Sequence, residues 1–149
     1  LTETAGLVVE PATAASDELV GAIQVLLRQL SSSASPPTKK ELLEIIESRT
    51  TTLLVARDEE DGVVGMLTLA CFRLPTGTRA WIEDVVVDEK HRGMGVGAAL
   101  VARAMDLARD RGARTVDLTS RPSREAANRL YLRLGFVRRN TNVYRYELA

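Results

Sequence analysis

Apolar positions along this chain recur with two periods, and the switch between them divides it into helices and strands. Leu7, Val8 and Val9 form an apolar run closed by Pro11, which predicts a strand at 7–10. Ser16 then stands where a helix cap belongs, and Asp17 and Glu18 place acids in a first turn that favours them, so a helix is expected over 17–30. The serines and two prolines of 31–37 cannot continue it and predict a mobile loop. Thr38 and Glu41 make a capping box, and Leu42, Ile45 and Ile46 give the apolar stripe of a second helix to about residue 49.

Strand patterns follow at 52–57 and 63–72, joined across the acidic turn 58–62 as a hairpin, and a further turn at 74–78 leads into a strand at 80–87. An alanine-rich helix then runs to about residue 111, with Leu100, Ala104, Leu107 and Ala108 on one face and Gly112 just past its end. A strand at 115–119, a helix over 122–134 stopped by Gly135, and a closing strand pair at 136–138 and 142–148 complete the pattern. The expected fold is α/β in the α+β sense, a mixed and mostly antiparallel sheet of about six to seven strands flanked by about four helices. No repeat or second domain is visible, so residues 1–149 read as one domain.

Composition narrows the chemistry. At 149 residues, 45% hydrophobic and 27% charged, the chain has enough apolar material for one modest core. Twenty bases against twenty acids give no net charge to advertise a nucleic-acid or membrane-surface protein, and aromatics at 4% leave few platforms for stacking bases. One cysteine, Cys71, and one histidine, His91, exclude an internal disulfide, a zinc cage and a Cys/His nucleophilic pair. No metal is therefore expected. No apolar run approaches the roughly 18 residues of a membrane-spanning helix. Residues 1–6 lack the basic-then-apolar order of a secretory leader, and the expected address is cytoplasmic. Charge is uneven, however. Residues 101–149 hold eleven arginines against five acids, with no lysine, and guanidinium forks suit phosphate, although most of these arginines read as solvated helix faces.

The most informative stretch is 85–98, where Val85, Val86 and Val87 feed a loop containing Gly93, Gly95 and Gly97 that opens a helix. Glycine lets a ligand approach the main chain, and the first amides of a helix lack internal partners, so the site suits a diphosphate, with Lys90 and Arg92 adding positive charge. A Walker-type loop fails because Ala98 and Ala99 stand where Lys and Ser/Thr are required. A dinucleotide fingerprint is a weak match, because its glycines are spaced differently and the context is antiparallel.

The segment Arg92-Gly93-Met94-Gly95-Val96-Gly97 instead resembles the Arg/Gln-x-x-Gly-x-Gly/Ala signature of the GNAT superfamily of N-acetyltransferases. The stretch from Ala127 through Leu130 and Tyr131 to Gly135 and Phe136 is similar to that family's Ala-x-x-Leu-Tyr-x-x-x-Gly-Phe element, so the likeness covers nearly the whole chain.

This resemblance implies an acyl-CoA cleft where the fourth and fifth strands splay apart. Pantetheine would pair with the backbone of Val85 and Val87, and amides of Arg92, Gly93, Met94, Gly95, Val96, Gly97 and Ala98 would take the diphosphate. It implies acetyl-CoA as co-substrate, a primary amine on a small molecule or a protein as acceptor, and direct attack in a ternary complex. Tyr131 matches the residue that in many members protonates the thiolate; as part of the 127, 130, 131, 134 stripe it also suits a core position. Asn128 lies near the family's cofactor-contacting amide, but the position seven residues before the tyrosine, often asparagine, is here Arg124. For removal of the amine proton Glu83 and Asp84 are the candidates, pointing to opposite faces of a strand; Glu83 is preferred if Trp81, Glu83, Val85 and Val87 share a face. Cys71 reads as a buried structural thiol, and a homodimer through the sheet edge or the C-terminal strands is a possible assembly. The competing function is a non-catalytic acyl-CoA-binding regulatory module, with nucleic-acid binding third.

Overall fold

The computed structural model describes residues 6–149; the start of the leader reading, 1–5, lies outside the described residues. Two compact units divide at residues 119 and 120. The first contains β1 (Leu7–Pro11), α1 (Asp17–Leu30), α2 (Lys39–Glu47), β2 (Thr51–Asp58), β3 (Gly62–Leu74), β4 (Gly77–Val87), a 3₁₀ turn (Glu89–His91), α3 (Val96–Asp110) and β5 (Ala113–Asp117). The second contains α4 (Glu125–Arg133). No helix among the described residues is long and apolar enough to cross a membrane.

Local signals set the helix starts. Ser16 Oγ accepts from the Leu19 amide at 3.1 Å, and Thr38 Oγ1 accepts from the Glu41 amide at 3.1 Å, each satisfying an amide without an intrahelical partner. The sheet order is β1-β2-β3-β4-β5. Its first four strands pair antiparallel, and β5 lies parallel to β4 because α3 forms the crossover between them.

Helices cover both faces of this sheet. On one, Leu53, Val55, Met66 and Val86 pack with Leu19, Ile23 and Leu26 of α1 and Leu42 of α2. The residues that alternate with them on the central strands, including Leu54, Leu67, Leu69 and Ile82, are equally buried. There α3 comes down on Gly65, where a Cβ would stand 3.1 Å from side-chain carbons of both Val96 and Leu100. A bare backbone at Gly65 is thus what lets the first turns of α3 sit on the sheet.

A β-bulge interrupts β4. Glu83 is opposite Thr68 and Val86 is opposite Met66, so Asp84 and Val85 together face Leu67 alone. Asp84 takes φ 50°, the one positive φ outside glycine among the described residues, a conformation that aspartate tolerates better than most residues. The extra residue resets the alternation: Val86 joins Glu83 on the α1/α2 face, and Val87, opposite Gly65, falls on the α3 face. Strict alternation through Trp81, Glu83, Val85 and Val87 is therefore corrected.

In the second unit α4 begins at Glu125, after a turn in which the Arg124 amide donates to the Arg121 carbonyl at 3.0 Å. It ends in a Schellman motif: with Gly135 at φ 99°, its amide donates to Leu132 O (3.1 Å) and that of Phe136 to Tyr131 O (3.0 Å). The rings of Tyr131 and Phe136 meet edge to face at 5.8 Å, the apolar contact that accompanies such a cap. No strand forms at 136–138 or 142–148, so the sheet of the described residues has five strands and not six to seven. Phe136 spends its amide on the helix cap, and Tyr144, Tyr146 and Leu148 alternate as a strand would but, like Val143, stay exposed.

Candidate functional site

The parallel pairing of β4 with β5 ends at Trp81↔Asp117, the last residue of β5, while β4 continues to Val87. From Ile82 onward no strand among the described residues pairs with the edge of β4 turned away from β3, so its outward main-chain donors and acceptors take no part in a sheet ladder, the kind of edge that an extended ligand can join. Val85 stands along this stretch of β4 beyond the end of β5. Val87 is at its end, where its carbonyl accepts from Arg92 Nε at 3.3 Å.

β4 feeds directly into the glycine turn. The Asp88 amide still donates to Val64 O at 2.8 Å, the 3₁₀ turn follows, and Gly93 (φ 79°) and Gly95 (φ 83°) take left-handed conformations before α3 begins at Val96. Gly95 is the N-cap and has no side chain to close the helix, and the first turn contains no acid. The amide of Ala99 donates to Gly95 O at 3.0 Å, so those of Val96, Gly97 and Ala98 precede the first intrahelical bond. Free amides at the positive end of a 15-residue helix make an anion site. Met94 is exposed beside it, whereas Val96 is buried against Gly65 and fixes the turn to the sheet.

Two carboxylates sit where β4 leaves β5. Glu83 is oriented by Trp81, whose Nε1 donates to its Oε1 at 2.6 Å. Asp84, in the bulge, has its carboxyl pushed above the usual carboxylate range, chiefly by burial and secondarily by the neighbouring Glu83 charge. A carboxylate so perturbed is a stronger base, a property the residue types alone did not reveal. The bulge that holds Asp84 depends on the pairing with β3 and has no local sequence signal.

Tyr131 and Asn128 belong to the second unit. Burial raises the Tyr131 phenol above its ordinary value, with Arg124 acting weakly in the opposite direction, so the group holds its proton through neutral pH. Asn128 Nδ2 donates to the Arg121 carbonyl at 2.9 Å, bracing the turn ahead of α4. Cys71 is buried in β3. No group of histidine, cysteine and carboxylate side chains suited to a metal occurs among the described residues.

Comparison with known proteins agrees with this architecture. N-alpha-acetyltransferase 30 of Schizosaccharomyces pombe is 34% identical over 73 residues, 49% of this chain and 48% of that protein. N-alpha-acetyltransferase MAK3 of Arabidopsis thaliana is 37% identical over 70 residues, 47% of this chain and 36% of that protein. The matches thus span about half or less of these curated relatives. Among solved structures, an acetyltransferase of Trypanosoma brucei superimposes with a TM-score of 0.77 at 28% identity, covering 95% of this chain and 99% of that one. A putative acetyltransferase from Agrobacterium tumefaciens, 22% identical with a TM-score of 0.82 over 94% of this chain and 99% of that one, shares the fold. The model of the acetyltransferase (GNAT) family matches residues 19–136, a span that takes in the β4 edge, the glycine turn and the Tyr131–Phe136 cap. Through that match the chain belongs to the GNAT family of acetyltransferases.

Proposed function

We propose that this chain is an N-acetyltransferase that moves the acetyl group of acetyl-CoA to a primary amine by direct attack in a ternary complex. The observation that carries the reading is the unpaired edge of β4 running into the uncapped N-terminus of α3. Acetyl-CoA supplies an activated acetyl group as its thioester. The amides of Gly93, Met94, Gly95, Val96, Gly97 and Ala98 hold the diphosphate, with that of Arg92 at the turn's entrance, and the β4 backbone at Val85 and Val87 orients the pantetheine arm. A β4 amide stabilises the charge that develops on the carbonyl oxygen.

Glu83 and Asp84 take the proton that the amine must lose: Glu83 is oriented for it by Trp81, and Asp84 has the stronger basicity that burial confers. The bond from carbonyl carbon to amine nitrogen forms as the carbon–sulfur bond breaks, and Tyr131 gives its phenolic proton to the departing thiolate. Its raised pKa suits that role because the proton is present at neutral pH. Asn128, engaged with the Arg121 carbonyl, supports the α4 start from which a cofactor contact would be made.

The names of two curated relatives favour the α-amino group of a polypeptide as acceptor. The test is thiol release from acetyl-CoA with three acceptor sets: peptides bearing a free α-amine, the same peptides blocked there but bearing lysine, and small amines. Turnover with the first set alone supports the α-amine reading, and turnover with any set supports transfer to an amine. Stabilisation by acetyl-CoA against melting with no thiol release from any set selects the non-catalytic binding module instead.

A further inference from the structure

The segment between β4 and the glycine turn is gripped from two sides by side chains that none of the steps above uses. On the α1 side, the carboxamide of Gln29, in the last turn of the helix, makes both of its bonds to this segment. Its Oε1 accepts from the Glu89 amide at 2.9 Å, and its Nε2 donates to Asp88 Oδ1 at 3.3 Å. Asp88 Oδ1 also accepts from the Lys90 amide at 3.3 Å, closing the 3₁₀ turn on itself. From the other side, His91 Nε2 donates to Asp61 Oδ2 at 2.8 Å, tying the segment to the turn between β2 and β3. The His91 side chain is only 13% exposed, and its Nδ1 lies 3.8 Å from Asp88 Oδ2. Gln29 and Asp61 come from distant parts of the sequence and reach the 88–91 segment at this link.

We infer that Gln29 and His91 are positioning residues for the diphosphate grip. They fix the course of the chain from Asp88 to Arg92 and so set the direction in which the amides from Gly93 onward point. The inference rests on the proposed function, since it assigns these side chains to the same anion site. Neither side chain has a step in the reaction, so their effect falls on the hold of the nucleotide end and spares the chemistry at the thioester. Gln29 ties the grip to α1, and Asp61 ties it to the β2–β3 turn.

The test uses the full chain and reads coenzyme A affinity by titration calorimetry together with kcat at saturating acetyl-CoA. Gln29→Leu removes both carboxamide bonds at nearly constant volume, and His91→Leu removes the bond to Asp61. Each is expected to weaken coenzyme A about tenfold, as follows from losing one to two hydrogen bonds that orient a charged contact, with kcat within about twofold. His91→Gln, which can place an amide nitrogen near the position of Nε2, is expected to recover most of the affinity. Where a leucine variant melts below the assay temperature, Gln29→Glu replaces it, because it keeps the acceptor for the Glu89 amide and loses the donor to Asp88. Unchanged affinity in Gln29→Leu and His91→Leu, or a fall in kcat that parallels the loss of affinity, overturns the inference. If the parent chain itself binds no coenzyme A, the proposed function fails and not merely this refinement of it.

Discussion

Gly93 and Gly112 provide a controlled test of the anion site. Both sit at left-handed φ, 79° and 80°, and at both a Cβ would meet nothing within 4 Å. Gly93→Ala and Gly112→Ala therefore impose the same backbone strain, about 1–2 kcal/mol, without a clash. For a domain of this size that corresponds to a fall in Tm of roughly 2–8 °C in either variant. Only Gly93 lies in the turn that leads to the free amides of α3; Gly112 follows the opposite end of that helix. If the turn grips a diphosphate, the new methyl group at 93 pushes the phosphate away from at least one amide. Losing one hydrogen bond to a charged group, about 1.5–3 kcal/mol, raises the KM for acetyl-CoA some tenfold to a hundredfold. Gly112→Ala leaves KM within about twofold. Melting curves and initial rates over a range of acetyl-CoA concentrations measure both quantities. Equal KM for the two variants, with equal losses of Tm, refutes the placement of the ligand at this turn.

Other consequences can be checked with the same assays. Tyr131→Phe keeps the edge contact with Phe136 and removes the phenolic proton, so kcat falls about 10²–10⁴-fold with the melting temperature nearly unchanged. Glu83→Gln and Asp84→Asn, compared over pH, separate the two carboxylates: the one that accepts the amine proton shows the loss of its acidic limb in kcat/KM. Because burial raises the Asp84 carboxyl in the folded state, folding favours its protonated form. That contribution is complete below the unfolded carboxylate range and is lost as pH rises through the folded value. Asp84→Asn, which keeps a residue type tolerant of φ 50°, is then more stable than the parent at pH 7, and the advantage disappears in acid; an unchanged difference across this range contradicts the burial argument. Gly65→Val drives a side chain into Val96 and Leu100, and urea denaturation is expected to register a loss of about 1–3 kcal/mol.

Sequence and structure agree where the signal is local. The hydroxyls of Ser16 and Thr38 announce α1 and α2, and the acidic turn 58–62 announces the β2–β3 hairpin, because caps and turns draw on neighbours within a few residues. The glycine turn is legible for the same reason, since its amides, its left-handed positions and the helix it opens are consecutive. The pattern misleads where the outcome depends on a partner strand. Alternation through Tyr144, Tyr146 and Leu148 is a strand pattern, but a ladder needs a second backbone. The bulge at Asp84 and Val85 is likewise set by what stands opposite on β3, and no spacing in β4 reveals that Val86 shares a face with Glu83. Gln29 is the extreme case, a helix glutamine that acquires a role only from Asp88 and Glu89, about sixty positions away.

Contact between α3 and Gly65 has a mechanical consequence. With methyl groups 3.1 Å from where a Cβ would be, the helix rests on the sheet without slack, so the donors at its tip are held by the core and not by the ligand. The entropy of arranging those donors is met when the chain folds, leaving less to be lost when an anion arrives. Loosening the seat beneath α3 should then slacken the grip at its tip, even by a substitution that never touches the cleft.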